Sequence, residues 1–198
     1  MSFLPDDYKP LKSSAGGYIK LQPGENKIRC LGNLRELSAN YTPVSPDDKP
    51  TVIRGMIGWS TKIGDDGKPA RQPHRLRPGD AIDNPEFDEP AKEFWAMIIY
   101  NYALEVAQIW DIPQKSIRDQ LVSLGQDDDW GDLRTFPISV TRTGEGLETR
   151  YSVTPKPKSE ISDEIKEAIN AGPINLNELY DNGDPFTLSS GDDSVVPF

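Results

Sequence analysis

The stretch Phe94-Trp95-Ala96-Met97-Ile98-Ile99-Tyr100-Asn101-Tyr102 decides the fold. It is apolar on both parities of a two-residue repeat, so it reads as a central strand covered on both faces. Glu105 to Ile112 follows at hairpin distance and alternates Val106, Gln108, Trp110 and Ile112, the pattern of a paired strand. The one clear helix of the body then covers Gln114–Leu124. Pro113 stands near its first turn, Ile117, Leu121 and Leu124 form its apolar stripe, and Gly125 ends it. A second hairpin, Arg134–Arg142 with Leu147–Thr154, turns at Thr143-Gly144-Glu145-Gly146, where glycines permit a tight reversal.

Upstream, Tyr18–Leu21 and Lys27–Leu31 read as two short strands around the Pro23-Gly24 turn. Thr51–Ser60 reads as a third strand, with Ile53, Ile57 and Trp59 on one parity. Residues 61–92 are rich in Gly, Pro and charge and read as a long loop. The order of elements is that of a mainly β chain. A small Greek-key barrel with one helix between its strands, the OB arrangement, fits it. The expected division is an N-terminal arm over 1–15, an OB-fold domain over 16–158, an acidic, partly helical extension over 159–188, and an acidic tip over 189–198. Short helices are expected near Ser162–Asn170 and Asn175–Tyr180, and disorder from Ser189 onward.

Length and composition narrow the chemistry. At 198 residues the chain suits one domain with extensions. Its single cysteine, Cys30, excludes an intramolecular disulfide, and Cys30 with the single His74 cannot make an ordinary zinc site. No apolar run approaches the ~20 residues that span a bilayer. With no signal-peptide pattern at the N-terminus, a cytoplasmic protein without metal or cofactor is expected. Asp127-Asp128-Asp129 reads as a solvated turn rather than a magnesium cluster, because consecutive aspartates point different ways.

Charge carries the functional signal. The net charge of −10 argues against nucleic acid, but its distribution does not. Residues 159–198 hold nine acids against Lys166 alone. From Lys49 to Arg77 there are seven basic residues against Asp65 and Asp66, and Arg134–Lys158 holds a second basic stretch. This is a charge-balanced body with an acidic appendage. The chain ends Gly191-Asp192-Asp193-Ser194-Val195-Val196-Pro197-Phe198. A phenyl ring beside a free carboxylate, stiffened by proline and flanked by acids, suits a small apolar pocket ringed by Lys or Arg on a partner.

These features carry a family resemblance. The tip resembles the acidic Pro-Phe tip of bacterial single-stranded DNA-binding proteins. The body resembles the OB-fold single-stranded DNA-binding proteins of tailed bacteriophages, through Tyr18–Arg29, Phe94–Tyr102 and Thr141–Pro155. The resemblance implies sequence-tolerant binding of single-stranded DNA (ssDNA), protection of exposed strands in replication, recombination or repair, and recruitment of replication or recombination proteins through the tail. It implies no enzymatic step, and self-association on DNA is among the interactions expected. A phage-encoded protein of this kind works in the cytoplasm of its bacterial host.

Such binding needs cations along a groove and aromatics for base stacking. The candidate cations are Arg54, Lys62, Arg71, Arg75, Arg77, Arg142 and Arg150. The candidate stacking residues are Trp59, Tyr100 and Tyr102. Trp59 shares parity with core residues yet stands at a strand end beside the basic stretch, and Tyr100 and Tyr102 share a face on which phenol hydroxyls suit water. Asp192, Asp193, Pro197 and Phe198 are assigned to partner binding. The acidic tail is also expected to compete with ssDNA for the basic groove. The rival readings are an acidic, DNA-mimic-like adaptor without nucleic-acid binding, and a hydrolase using two acids of residues 80–93. The second requires a buried acid with a raised pKa, which a charged loop does not supply.

Overall fold

The computed structural model describes residues 17–42, 49–63, 67, 69–80, 91–172, 174–180 and 183–186. Among them the fold is mainly β: seven antiparallel strands and two α-helices. The strands are β1 Gly24–Cys30, β2 Val52–Ile63, β3 Pro69–Leu76, β4 Lys92–Asn101, β5 Val106–Ile112, β6 Pro137–Thr143 and β7 Arg150–Pro155. The helices are α1 Lys115–Gln126, between β5 and β6, and α2 Asp163–Asn170, after β7. No helix among the described residues is long and apolar enough to cross a membrane.

The doubly apolar stretch is β4, and it organises the sheet. One edge pairs along its length with β5, from Trp95↔Ile112 to Asn101↔Val106. The other edge is shared. Its first half pairs with β2, from Ile57↔Lys92 to Val52↔Met97, and its last residues pair with β1 at Ile28↔Asn101, Arg29↔Tyr100 and Cys30↔Ile99. Ile98 joins the two halves, donating to the Thr51 carbonyl at 3.0 Å and accepting from Leu31 N–H at 3.0 Å. Gly32 stands where β1 and β2 part, and a Cβ there would come within 2.5 Å of Met97 and 2.9 Å of the Thr51 carbonyl.

The strand order is β3-β2-β4-β1-β6-β7, with β5 on the far edge of β4. Its two ends do not pair with each other, so the sheet is not closed into a barrel. The outer edge of β7 meets α1 instead. The Gln120 side chain accepts from Val153 N–H at 2.8 Å and donates to the Tyr151 carbonyl at 3.2 Å. One amide thus supplies the donor and acceptor that a neighbouring strand would have offered, which blunts an exposed edge.

Both faces of β4 are buried, as its sequence requires. Trp95, Met97 and Ile99 pack with Ile28, Trp110 and Ile112, under Ile117 and Leu121 of α1. Phe94 and Ala96 point the other way and pack with Ile53, Ala107 and Ile109. That second face is covered by Ile174, Leu176, Leu179 and Tyr180, from the segment with the greatest acid excess. Burying such side chains stabilises by roughly 1.5–3 kcal/mol each. The extension is anchored at its root by Arg29, which is 1 % exposed. Its guanidinium donates to the Arg134 carbonyl at 2.9 Å, to Ser159 Oγ at 2.9 Å and to the Ser159 carbonyl at 2.7 Å.

Besides leaving open the sheet that was expected to close as a Greek-key barrel, the structure corrects the sequence reading at three places. The expected strand at Tyr18–Leu21 is not paired with β1. The segment runs beside β5 through a single parallel bridge, Tyr18↔Ile109. The expected loop over 61–92 contains β3, paired with β2 from Met56↔Leu76 to Ile63↔Pro69. β3 has no apolar alternation, because it is an edge strand whose two prolines are tolerated there. The third place is the Tyr100 face, expected to be wet: Tyr100 is 4 % exposed. The hairpin turn at Gly144 (φ 74°) and Gly146 (φ 54°) has the left-handed backbone that glycine favours. The arm, residues 81–90 and the acidic tip lie outside the described residues.

Two tests follow from this packing. Replacing Gln120 by Ala strands one N–H and one carbonyl, and urea unfolding should show a loss of about 1–3 kcal/mol. Burial pushes the Cys30 thiol from its ordinary value of 9.0 up to about 12. The unfolded thiol ionises first as pH rises, so this group's contribution is intact below pH 9 and is lost between 9 and 12. A Cys30→Ala variant should therefore show a shallower fall of stability across that window, and native Cys30 should resist a thiol reagent at pH 8.

Candidate nucleic-acid interface

The elements around the start of β2 enclose a groove of about 840 Å³. Lys49 enters it just before β2, Arg54 from within β2, and Arg77 from the turn after β3. Tyr41 and Tyr180 also line it. Glu36 is the acid in this wall, and its carboxylate holds the first residues of β2. It accepts from Thr51 N–H at 2.7 Å, Thr51 Oγ1 at 2.7 Å and Val52 N–H at 3.1 Å.

Tyr180 fixes the geometry. Its hydroxyl donates to the Arg54 carbonyl at 2.6 Å. The Arg77 guanidinium carbon stands 4.8 Å from its ring centroid, a cation–π distance. Gly55 permits this approach. A Cβ there would strike the Leu76 carbonyl and come within 2.9 Å of the Phe94 ring and 3.1 Å of the Tyr180 ring. Burial raises the Tyr180 pKa above 10.0, and the charges of Arg77 and Arg54 offset part of that rise. The phenol is therefore neutral at physiological pH, and two guanidinium groups and an ammonium face a groove with aromatic walls.

The expected site residues divide between this groove and other places. Arg54 and Arg77 are brought together in it. Trp59, Lys62 and Arg71 lie on the β2–β3 ribbon, which runs on past the first residue of β4; their register partners are Pro73, Ala70 and Thr61. Their side chains are outside the described part. Arg75 ion-pairs with Asp111 at 2.6 Å, stands 5.4 Å from the Phe94 ring centroid, and is only about 24 % exposed in its side chain. It ties β3 to β5 rather than lining the groove.

Tyr100 is buried edge-to-face against Tyr102, with centroids 5.1 Å apart, so it offers no face to a base. Tyr102 is half-buried beneath the Lys27 ammonium at 4.5 Å and lines a separate concavity with Tyr18, Lys20 and Leu104. Arg142 donates to the Leu21 carbonyl at 3.1 Å, and Arg150 is exposed on β7. Asp192, Asp193, Pro197 and Phe198 lie outside the described residues.

Lys49, Tyr41 and Tyr180 were missed by sequence reasoning. Lys49 carried a signal as the first cation of the basic stretch. Tyr180 carried a weaker one, the run of apolar residues Ile174, Leu176 and Leu179 inside an acidic segment, which has to cover something. Asp127 caps the end of α1, its Oδ1 accepting from Asp129 N–H at 2.8 Å and Trp130 N–H at 3.3 Å. Among the described residues no cluster of His, Cys, Asp and Glu could hold a metal ion.

No protein-family model, curated protein or solved structure matches the chain.

The Tyr180 hydroxyl is the simplest part of the wall to test. Tyr180→Phe keeps the ring and removes the bond to Arg54, and thermal or urea unfolding should show a loss of about 0.5–1.5 kcal/mol.

Proposed function

We propose that the chain is a sequence-tolerant ssDNA-binding protein with no catalytic step. On this reading it coats exposed strands during replication or recombination and recruits partner proteins through its acidic Pro-Phe tip. The observation that carries the reading is the groove in which Lys49, Arg54 and Arg77 stand with Tyr41 and Tyr180. Cations supply the sequence-independent phosphate attraction, half-buried Tyr41 offers an aromatic face to a base, and buried Tyr180 positions Arg54 and Arg77. The β2–β3 ribbon adds Lys62 and Arg71 to the same basic stretch of chain.

The OB arrangement belongs to this proposal. β1 pairs with both β4 and β6, and α1 lies between β5 and β6, as expected of a sheet derived from that barrel. A phage origin and action in the host cytoplasm are the setting the resemblance supplies. A net charge of −10 is compatible with DNA binding because most of the excess falls in residues 159–198, with nine acids against Lys166, whereas Lys49–Arg77 holds seven cations against two acids.

The test is a titration with oligo-dT at several salt concentrations, followed by tryptophan fluorescence. A groove neutralising Z phosphates gives a log–log slope of about −0.7Z, and Arg54→Ala and Arg77→Ala should each make that slope shallower by about 0.7. Absence of binding at low salt by a protein lacking residues 189–198 would overturn the proposal and leave the acidic adaptor as the better reading.

A further inference from the structure

At the C-terminal end of β4 lies another concavity, of about 870 Å³, with Asn101 in its wall. The groove lies beside Arg54, whose register partner on β4 is Trp95. From Trp95 to Asn101 the strand advances about 20 Å.

Local bonds place the cations of this second opening. Ile19 N–H donates to the Ile109 carbonyl at 2.9 Å, and Ile109 N–H donates to the Gly17 carbonyl at 3.0 Å. These bonds hold the segment carrying Tyr18 and Lys20 against β5. After the Pro23-Gly24 turn the chain returns as β1 and brings Lys27 to Tyr102. The Tyr102 N–H donates to the Lys27 carbonyl at 3.4 Å, and the Lys27 ammonium stands 4.5 Å from the Tyr102 ring centroid. The device is that of Tyr180 and Arg77: a ring holds a cation in place at an opening. Lys20 and Lys27 are exposed, and beside them Tyr18 is 41 % and Leu104 59 % exposed. Glu25 is the acid in this wall, and its carboxylate is committed. Lys156 Nζ stands 2.9 Å from it, and Ser139 Oγ donates to it.

We propose that this concavity is a second contact for the bound single strand, with Lys20 and Lys27 taking phosphates and exposed Tyr18 and Leu104 giving bases an apolar surface. The inference rests on the ssDNA reading and deepens it. A strand already held by Lys49, Arg54 and Arg77 meets these lysines at the high effective concentration of a tethered ligand. A separate acidic partner has no such advantage. The consequence is a footprint longer than the groove, so that affinity and salt dependence grow with strand length until both openings are filled.

The probes are oligo-dT of about 6 and of about 16 nucleotides, within the range that one OB fold covers, added to the ¹⁵N-labelled full-length chain. The short strand should move the backbone signals of Arg54 and Arg77, and the long one should also move those of Lys20, Lys27 and Leu104. Joint replacement Lys20→Ala and Lys27→Ala changes exposed side chains. In salt titrations it should make the long strand's log–log slope shallower by about 1.4 and leave the short strand's unchanged. If the long strand moves Arg54 and Arg77 but not Lys20 and Lys27, the second contact is wrong and the groove stands. The same holds if removal of residues 189–198 moves Lys20 and Lys27 without DNA and the long strand does not move them in the shortened chain, since the acidic tip is then the occupant. If neither length moves any signal of the body, the ssDNA reading falls, and the second contact with it.

Discussion

Everything in this molecule depends on keeping β4 dry on four sides. Its backbone is paired along both edges, and its side chains are apolar on both faces. A strand of this kind cannot be half solvated without exposing either unpaired amides or large hydrophobic groups. The edge constraint recruits β5 on one side and divides the other between β1 and β2. The face constraint recruits α1 above, and below it recruits a segment reached only after the chain has left the sheet. The groove is a by-product of that second demand. Tyr180 comes to β2 because Leu176 and Leu179 must cover Phe94 and Ala96, and the cations beside β2 then have an aromatic wall.

The parts legible in the sequence are those whose signal is local. β4, β5, α1 and the β6–β7 hairpin follow from periodicity, from Pro113 at a helix start, and from Gly144 and Gly146 in a turn. β3 was not legible, because an edge strand needs no apolar alternation and owes its existence to its partner. Tyr100 was misplaced for a related reason. Its face looks wet in isolation, and its cover, Tyr102 edge-on with paired strands on either side, exists only in the assembled sheet. Arg54 and Arg77 could be chosen as cations, but nothing local distinguishes them from Arg75, which spends its charge on Asp111. Pairing and cover are properties of the assembled fold, and they decide where each of these charges ends up.

Two buried arginines show how polar demands are met at the seams. Arg29 satisfies carbonyls where the extension leaves the sheet. Arg118 does the same where α1 begins, donating to the carbonyls of Glu93, Ile112 and Pro113 at 2.9, 3.1 and 2.8 Å. In both cases a guanidinium with five donors gathers several acceptors, mostly backbone carbonyls, at one joint.

The segment from Ile174 to Tyr180 has one consequence for how the protein can be taken apart. By composition it belongs to an acidic appendage, and a cut near residue 158 looks like the natural way to isolate the body. Such a cut would remove the floor under Phe94 and one wall of the groove together. The shortened chain would present a bare hydrophobic sheet face, prone to stick to its own copies, and a binding surface with one side missing. A loss of function after that truncation would say nothing about acidity. It would record that a part resembling a linker is a structural half of the domain it follows.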